Sequence, residues 1–354
     1  MTSERVASLD LVRGIAAICV AVPHFLIYRG AGGAVLESLS VMAVEVFFVL
    51  SGFVLAPQIL LVLSMRSPGN LPIFLVRRWM RTVPPYVVAL LLVSALAGAL
   101  GTADFWRYLF YVQNLLRQYN ERDYYSIAWS LSVEEWFYLT FPLFMLAASF
   151  GRARGTRHHA LAAIAFIAVI TVLRTRFGDP LDWGASVRRV VIFRVDSIAY
   201  GFLLYLALRG RPVGRPMLMI AGLIGSTALM FGLLAVVEQN QAAQIAYPPA
   251  AAAFGSFVIV SALAVEAWAR HKPAIAAAAG TTSYAVYLYH LLAIYLLARL
   301  HWPSWLTLIA FVLVAGLLSA LSSYGLEKPI LAKRPKYRAG APAEIALNAV
   351  DAAP

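Results

Sequence analysis

The sequence predicts an all-α polytopic membrane protein of about ten transmembrane helices, with both termini in the cytoplasm. Three observations carry this. Of 354 residues, 61% are hydrophobic and 13% charged, where a water-soluble domain has about 25% charged residues. Apolar runs of about 20 residues recur along the chain, the length that crosses a hydrocarbon core of roughly 30 Å. Basic residues fall in short clusters between those runs, so the net charge of +12 reads as membrane-loop patterning and excludes a nucleic-acid surface. The runs do not alternate in polarity, which excludes a β-barrel.

In chain order the spans are expected near 8–28, 38–63, 82–100, 128–149, 159–173, 190–208, 216–237, 248–268, 282–300 and 305–324. Sorting the loops by side puts 18 Lys and Arg with the two termini and 9 on the opposite side, which assigns the termini to the cytoplasm. The outer loop 174–189, with four arginines, fits that rule least well. Residues 1–330 are expected to form one transmembrane unit, and 331–354, ending in an Ala/Pro-rich stretch, a loose cytoplasmic tail. The first span has no small-residue cleavage site, so no cleavable signal peptide is expected. The single cysteine, Cys19, excludes an intrachain disulfide.

Polar residues interrupt these spans in a pattern. In LDLVRGIAAICVAVPHF (9–25), Arg13 and His24 are 11 residues apart, three helical turns plus about 20°, so they share one face at depths about 16 Å apart. Arg13 taken alone could snorkel to the interface, and His24 alone could be a structural histidine. Ionisable residues at such depth generally face an interior cavity. Asp10 lies one turn before Arg13, and the second span carries Glu45 and Ser51-Gly52, where glycine suits close helix approach.

The loop before the third span ends in FLVRRWMRTVPPYV, where Arg77, Arg78, Arg81 and Tyr86 flank the Pro84-Pro85 pair expected to bend the helix start. Such a cluster is either a positive-inside anchor or a cytoplasmic phosphate site, since arginine pairs bidentately with phosphate. In WSLSVEEWFYL (129–139), Ser130, Glu134 and Tyr138 recur every four residues on one face. Arg194 and Asp196 in FRVDSIAYG read most simply as a charge pair, and Ser283, Tyr287 and His290 share a face of the ninth span.

Seven stretches in one order, LDLVRG with its Arg-x10-His spacing, FFVLSGFVL, RRWMRTVPPY, WSLSVEEWFYL, FRVDSIAYG, SYAVYLYH and LEKP (326–329), resemble membrane-bound acyltransferase family 3, bacterial O-acyltransferases of sugars, glycans and some macrolides. Trp136 stands where a polar residue such as Gln is common in that family, a departure that bears on the acceptor site. The resemblance implies transfer of an acyl group, usually acetyl, from cytoplasmic acyl-CoA to a hydroxyl of a glycan, lipid-linked sugar or macrolide, without a metal, in the bacterial inner membrane. It makes His24 the catalytic histidine and Arg13 its partner. Some members add an outer esterase-like domain, and from the length of this chain none is expected here.

Read from the residues, Arg77, Arg78 and Arg81, with Tyr86 and Arg13, would hold the donor, whose extended pantetheine arm matches the 16 Å between Arg13 and His24. His24 would act as general base or carry a transient acyl-imidazole, with Glu134 orienting the acceptor or His24. Asp10, Glu45, Ser51, Ser130, Tyr138, Arg194, Asp196, Tyr287 and His290 would line the substrate path. A transporter or flippase would use the same intramembrane Arg, Glu and His, but no inverted repeat is evident.

Overall fold

The computed structural model describes residues 6–64, 69–120, 122–149, 155–179, 181–211, 216–268, 274–298, 300 and 302–337. Among them there is no strand. The helices are α1 (Ala7–Tyr28), α2 (Ala34–Ser64), α3 (Asn70–Leu96), α4 (Ala103–Leu109), α5 (Ala128–Ala148), α6 (Thr156–Phe177), α7 (Val191–Arg194), α8 (Ala199–Leu208), α9 (Pro216–Val236), α10 (Gln241–Trp268), α11 (Ala274–Leu297), α12 (Ser304–Ala320) and α13 (Lys328–Leu331). Short 3-10 and π-helical turns join α7 to α8 and α12 to α13.

Eight helical segments among the described residues are long and apolar enough to cross a bilayer: α1, α2, α3, α6, Val191–Leu208, α9, α10 and Ser304–Leu331. Of the ten expected spans, α5 and α11 have 21 and 24 residues but are not among these eight. Glutamates and serines dilute α5, and hydroxyls, tyrosines and a histidine dilute α11. Most of those groups turn inward, among them Ser130, Glu135, Tyr287 and His290, so neither helix needs an apolar circumference. Apolar side chains elsewhere face outward, among them Ile15 and Ile18 on α1 and Leu313 and Leu317 on α12, as lipid contact requires.

Helix α1 packs against α2, α10 and α11, and α11 also touches α3 and α12. Small residues permit the closest crossings. A Cβ on Gly52 (α2) would lie 1.8 Å from the Ile198 carbonyl oxygen, and one on Gly201 (α8) 1.9 Å from that of Val49. The obstacle in each case is backbone, which cannot step aside. Gly52→Ala is therefore expected to cost about 1–3 kcal/mol or more, read as a lowered thermal unfolding midpoint in detergent; an unchanged midpoint would refute this close crossing. The start of α1 is held across the bundle: Glu266 of α10 accepts from the Ala7 and Ser8 amides at 3.1 and 2.9 Å and from the Ser8 hydroxyl at 2.6 Å, satisfying donors that a helix start leaves free.

The structure corrects two local expectations. Helix α3 begins at Asn70, so Arg77, Arg78 and Arg81 lie on its early turns and not in a loop, and Pro84 and Pro85 fall inside it. Prolines remove amides from the ladder, here those that would reach the Met80 and Arg81 carbonyls, and α11 packs along this stretch: Tyr284 donates to the Thr82 carbonyl at 3.0 Å and Tyr289 to that of Pro85 at 3.3 Å. The second correction concerns Arg194 and Asp196, which do not pair with each other. Two residues apart, they point to different sides: Arg194 donates to Glu45, and Asp196 accepts from Arg174. Several basic residues counted in the loops (Arg5, Arg66, Arg152, Arg154, Arg215, Arg270, Lys272, Arg299 and Arg338) and the tail from 338 to 354 lie outside the described residues.

Candidate functional site

Helices α1, α2, α3, α5 and α11 together line a cavity that is partly open to solvent. Nine of the residues singled out from the sequence line it: Arg13, Ser51, Arg78, Arg81, Ser130, Glu134, Tyr138, Ser283 and Tyr287. Phe47, Phe48 and Leu55 supply apolar wall between them.

One side of the cavity is cationic. Arg78 and Arg81 come from α3, and Arg13 comes from α1, its guanidinium 3.9 Å from the Asp10 carboxylate. Arg78 donates to the Gln58 side-chain oxygen. The middle is carboxylate and hydroxyl: Glu134 accepts from Ser51 at 3.1 Å and from Tyr138 through the same oxygen. This is the i,i+4 face of α5 expected from the sequence, now joined to Ser51 of α2. Beyond it, the Tyr287 and Ser130 hydroxyls are 2.6 Å apart.

His24 and His290 do not line the cavity. They form a pair one ring behind Tyr287, whose ring centroid is 5.9 Å from that of His290. His24 Nδ1 lies 3.0 Å from His290 Nε2, and the two rings stack at 5.2 Å. The hydrogen bonds assign the tautomers. His290 Nδ1 is 2.7 Å from the Tyr287 carbonyl and 3.2 Å from that of Val286. Carbonyls only accept, so His290 Nδ1 carries the proton and Nε2 is bare. That bare nitrogen takes the proton of His24 Nδ1–H, which leaves His24 Nε2 as a lone pair. Arg188, stacked 5.0 Å over Trp129, and Arg189 lie within electrostatic range of His24.

The other residues expected to line the path lie apart from it. Arg77, 4% exposed, turns toward the segment after α13. Tyr86 is fully buried, donating to the Tyr108 carbonyl and stacked on Tyr111. Glu45 and Arg194 hold each other in a separate buried cluster with Tyr247, and Asp196 receives both terminal nitrogens of Arg174 at 3.1 Å. Trp136 donates to the Tyr111 carbonyl at 2.9 Å, so its indole anchors the segment between α4 and α5.

Sequence reasoning missed Gln58, Tyr284, Thr82 and Tyr247. Gln58 carried the same signal as Glu45, a polar side chain in an apolar run. Tyr284 lies three residues before Tyr287 and so shares its face. It also missed that parts of the irregular segment before α5 are built into the site: Tyr125 donates to the Leu288 carbonyl and Asn114 to those of Trp129 and Arg189. No periodicity marks an irregular segment of that kind. Among the described residues no three His, Cys, Asp or Glu side chains are grouped to hold a metal ion.

Comparison with known proteins adds three findings. The family described as "Acyltransferase domain" (acyltransferase family 3) matches residues 6–327. Peptidoglycan O-acetyltransferase OatA of Listeria monocytogenes serovar 1/2a is 26% identical over 158 residues, covering 40% of this chain and 24% of that protein. No solved structure matches the chain.

Proposed function

Because the chain belongs to the acyltransferase family 3 proteins and is thereby a membrane O-acyltransferase, we propose that it moves an acyl group, by default acetyl, from cytoplasmic acyl-CoA to a hydroxyl of a glycan. The observation that supports this reading most is the hydrogen-bonded order Tyr287 carbonyl, His290, His24. It leaves one basic imidazole nitrogen in the pair behind Tyr287, a wall of the cavity that also holds Arg13, Arg78 and Arg81.

In this reading the bacterial inner membrane is crossed ten times, α5 and α11 included, with both termini inside. Residues 1–330 form the catalytic unit. Arg78 and Arg81 take the donor's phosphates, and Arg13, poised between Asp10 and Glu134, holds the arm that follows. The roughly 16 Å between Arg13 and His24 suits an extended pantetheine. Glu134 orients the acceptor through the Ser51 and Tyr138 hydroxyls that it already holds.

His24 Nε2 removes the acceptor hydroxyl's proton as that oxygen attacks the thioester carbonyl carbon. The C–S bond breaks, the new ester leaves on the acceptor, and His24 returns the proton to the sulfur as free CoA thiol. His290 stays neutral and holds the imidazolium through its bare nitrogen, the orienting part that a third residue plays in a catalytic triad. The OatA likeness favours a cell-wall glycan among acceptors, reached from the side where Arg188 and Arg189 approach His24.

The test is release of free thiol from acetyl-CoA by the purified protein, with and without a peptidoglycan fragment. Acceptor-dependent release is expected; acyl-CoA left intact under both conditions would refute the reading and return the transporter alternative. Arg78→Ala and Arg81→Ala should each weaken acyl-CoA binding about tenfold, the size of one lost charge-assisted hydrogen bond. Unchanged affinity in both would remove that role.

A further inference from the structure

The residues that follow α13 fold back onto the bundle. Residues 332–337 (AKRPKY) run along the arginine-bearing turns of α3. Arg77 Nη1 donates to the Pro335 carbonyl at 2.8 Å, and its guanidinium sits 4.9 Å from the Tyr337 ring centroid. Tyr337, 4% exposed, donates at 3.4 Å to Gln58 Oε1, the same oxygen that Arg78 reaches. One side-chain amide thus ties this strap to a cavity-lining arginine.

The strap brings a fourth guanidinium to three. Arg334 stands among Arg77, Arg78 and Arg81, and burial together with those neighbours pulls its pKa down to about 9. Its Nε is shut off from solvent with no hydrogen-bond partner, and Arg334 makes no ion pair among the described residues. Two carboxylates in this part of the bundle already hold hydroxyls: Glu327 accepts from Ser322 and Ser323, and Glu134 from Ser51 and Tyr138. Gathering like charges this closely disfavours the empty arrangement, and a multivalent anion would reverse the sign of the effect.

We propose that Arg334 on this strap, with Arg78 and Arg81, forms the site for a nucleotide-type diphosphate, the phosphate end of the acyl-CoA donor. This rests on the donor reading above. Tyr337 and Gln58 are positioning residues: they hold the strap and Arg78 in one register without touching the anion. A phosphorylated lipid headgroup offers the same chemistry, and the experiment must separate the two.

The full chain is placed in nanodiscs of zwitterionic lipid, and CoA binding is titrated for the wild type, Arg334→Ala, Arg334→Lys and Tyr337→Phe, each checked for its unfolding midpoint. The expected result is about tenfold weaker CoA binding in Arg334→Ala at an unchanged midpoint. Arg334→Lys should recover part of it, and Tyr337→Phe should show a smaller loss. Equal CoA affinity in wild type and Arg334→Ala overturns the strap's role and leaves the donor reading standing. No CoA binding by the wild type overturns both. An effect of Arg334→Ala on binding of anionic vesicles, with CoA affinity untouched, makes the anion a headgroup and likewise overturns the proposal.

Discussion

Replacing His24 with alanine is expected to lower acceptor-dependent thiol release by about 10²–10⁴-fold, the range for removing a general base, at an unchanged unfolding midpoint. The hydrogen-bonded order assigns this effect to one atom. His290 Nδ1 is committed to the Tyr287 carbonyl at 2.7 Å and its Nε2 to His24 at 3.0 Å, so only His24 Nε2 has a free lone pair. His290→Ala should therefore act through orientation and cost less than His24→Ala, with kcat falling more than KM for acyl-CoA changes. A His24→Ala rate within about tenfold of wild type would contradict the assignment of the base. A His290→Ala rate lower than that of His24→Ala would exchange the two roles.

The second large effect is on folding. Glu45→Ala is expected to destabilise the bundle by about 3–5 kcal/mol, the size seen when one partner of a buried ion pair is removed. Arg194 is 1% exposed and donates to both Glu45 oxygens at 2.6 Å, while Tyr247 adds a bond at 2.8 Å. Without the carboxylate, a guanidinium in the bundle interior keeps no hydrogen-bonded anion, only the Tyr247 ring 5.4 Å away and the longer-range attraction of Asp196. Thermal unfolding in detergent measures the loss. The double change Glu45→Met with Arg194→Met should recover most of the midpoint, because well-packed apolar residues replace such pairs at little cost. Recovered folding without activity would support a substrate-path role for this pair; recovery of both makes it scaffold. A Glu45→Ala midpoint equal to wild type would show that Arg194 finds another anion.

The helical class and most of the cavity wall were legible because membrane burial writes a simple code: apolar runs of fixed length, broken where a polar side chain faces inward. Arg13, Ser51, Ser130, Glu134, Tyr138 and Tyr287 were each read from such a break and all reach one cavity. Pairing was less legible. Arg194 and Asp196 are neighbours in sequence, yet each finds a partner on another helix, Glu45 on α2 and Arg174 on α6. Helix limits also escaped, since Pro84-Pro85 marked a helix start by local rules, whereas α3 runs through the pair, beside tyrosines of α11 some 200 residues away. The His24–His290 contact spans 266 positions, and no local periodicity encodes it. The same holds for the strap at 332–337, whose RPKY gains meaning only against the arginines of α3.

The most direct measurement of the central claim is a cryo-EM structure of the protein with a non-hydrolysable acetyl-CoA analogue. The expected density has its phosphates against Arg78 and Arg81, runs past Arg13 and Ser51, and brings the carbonyl beyond Tyr287 to hydrogen-bonding reach of the acceptor path at His24 Nε2. A nucleotide bound at the opposite side of the bundle, or a carbonyl that stops short with Tyr287 still between it and His24, would contradict it.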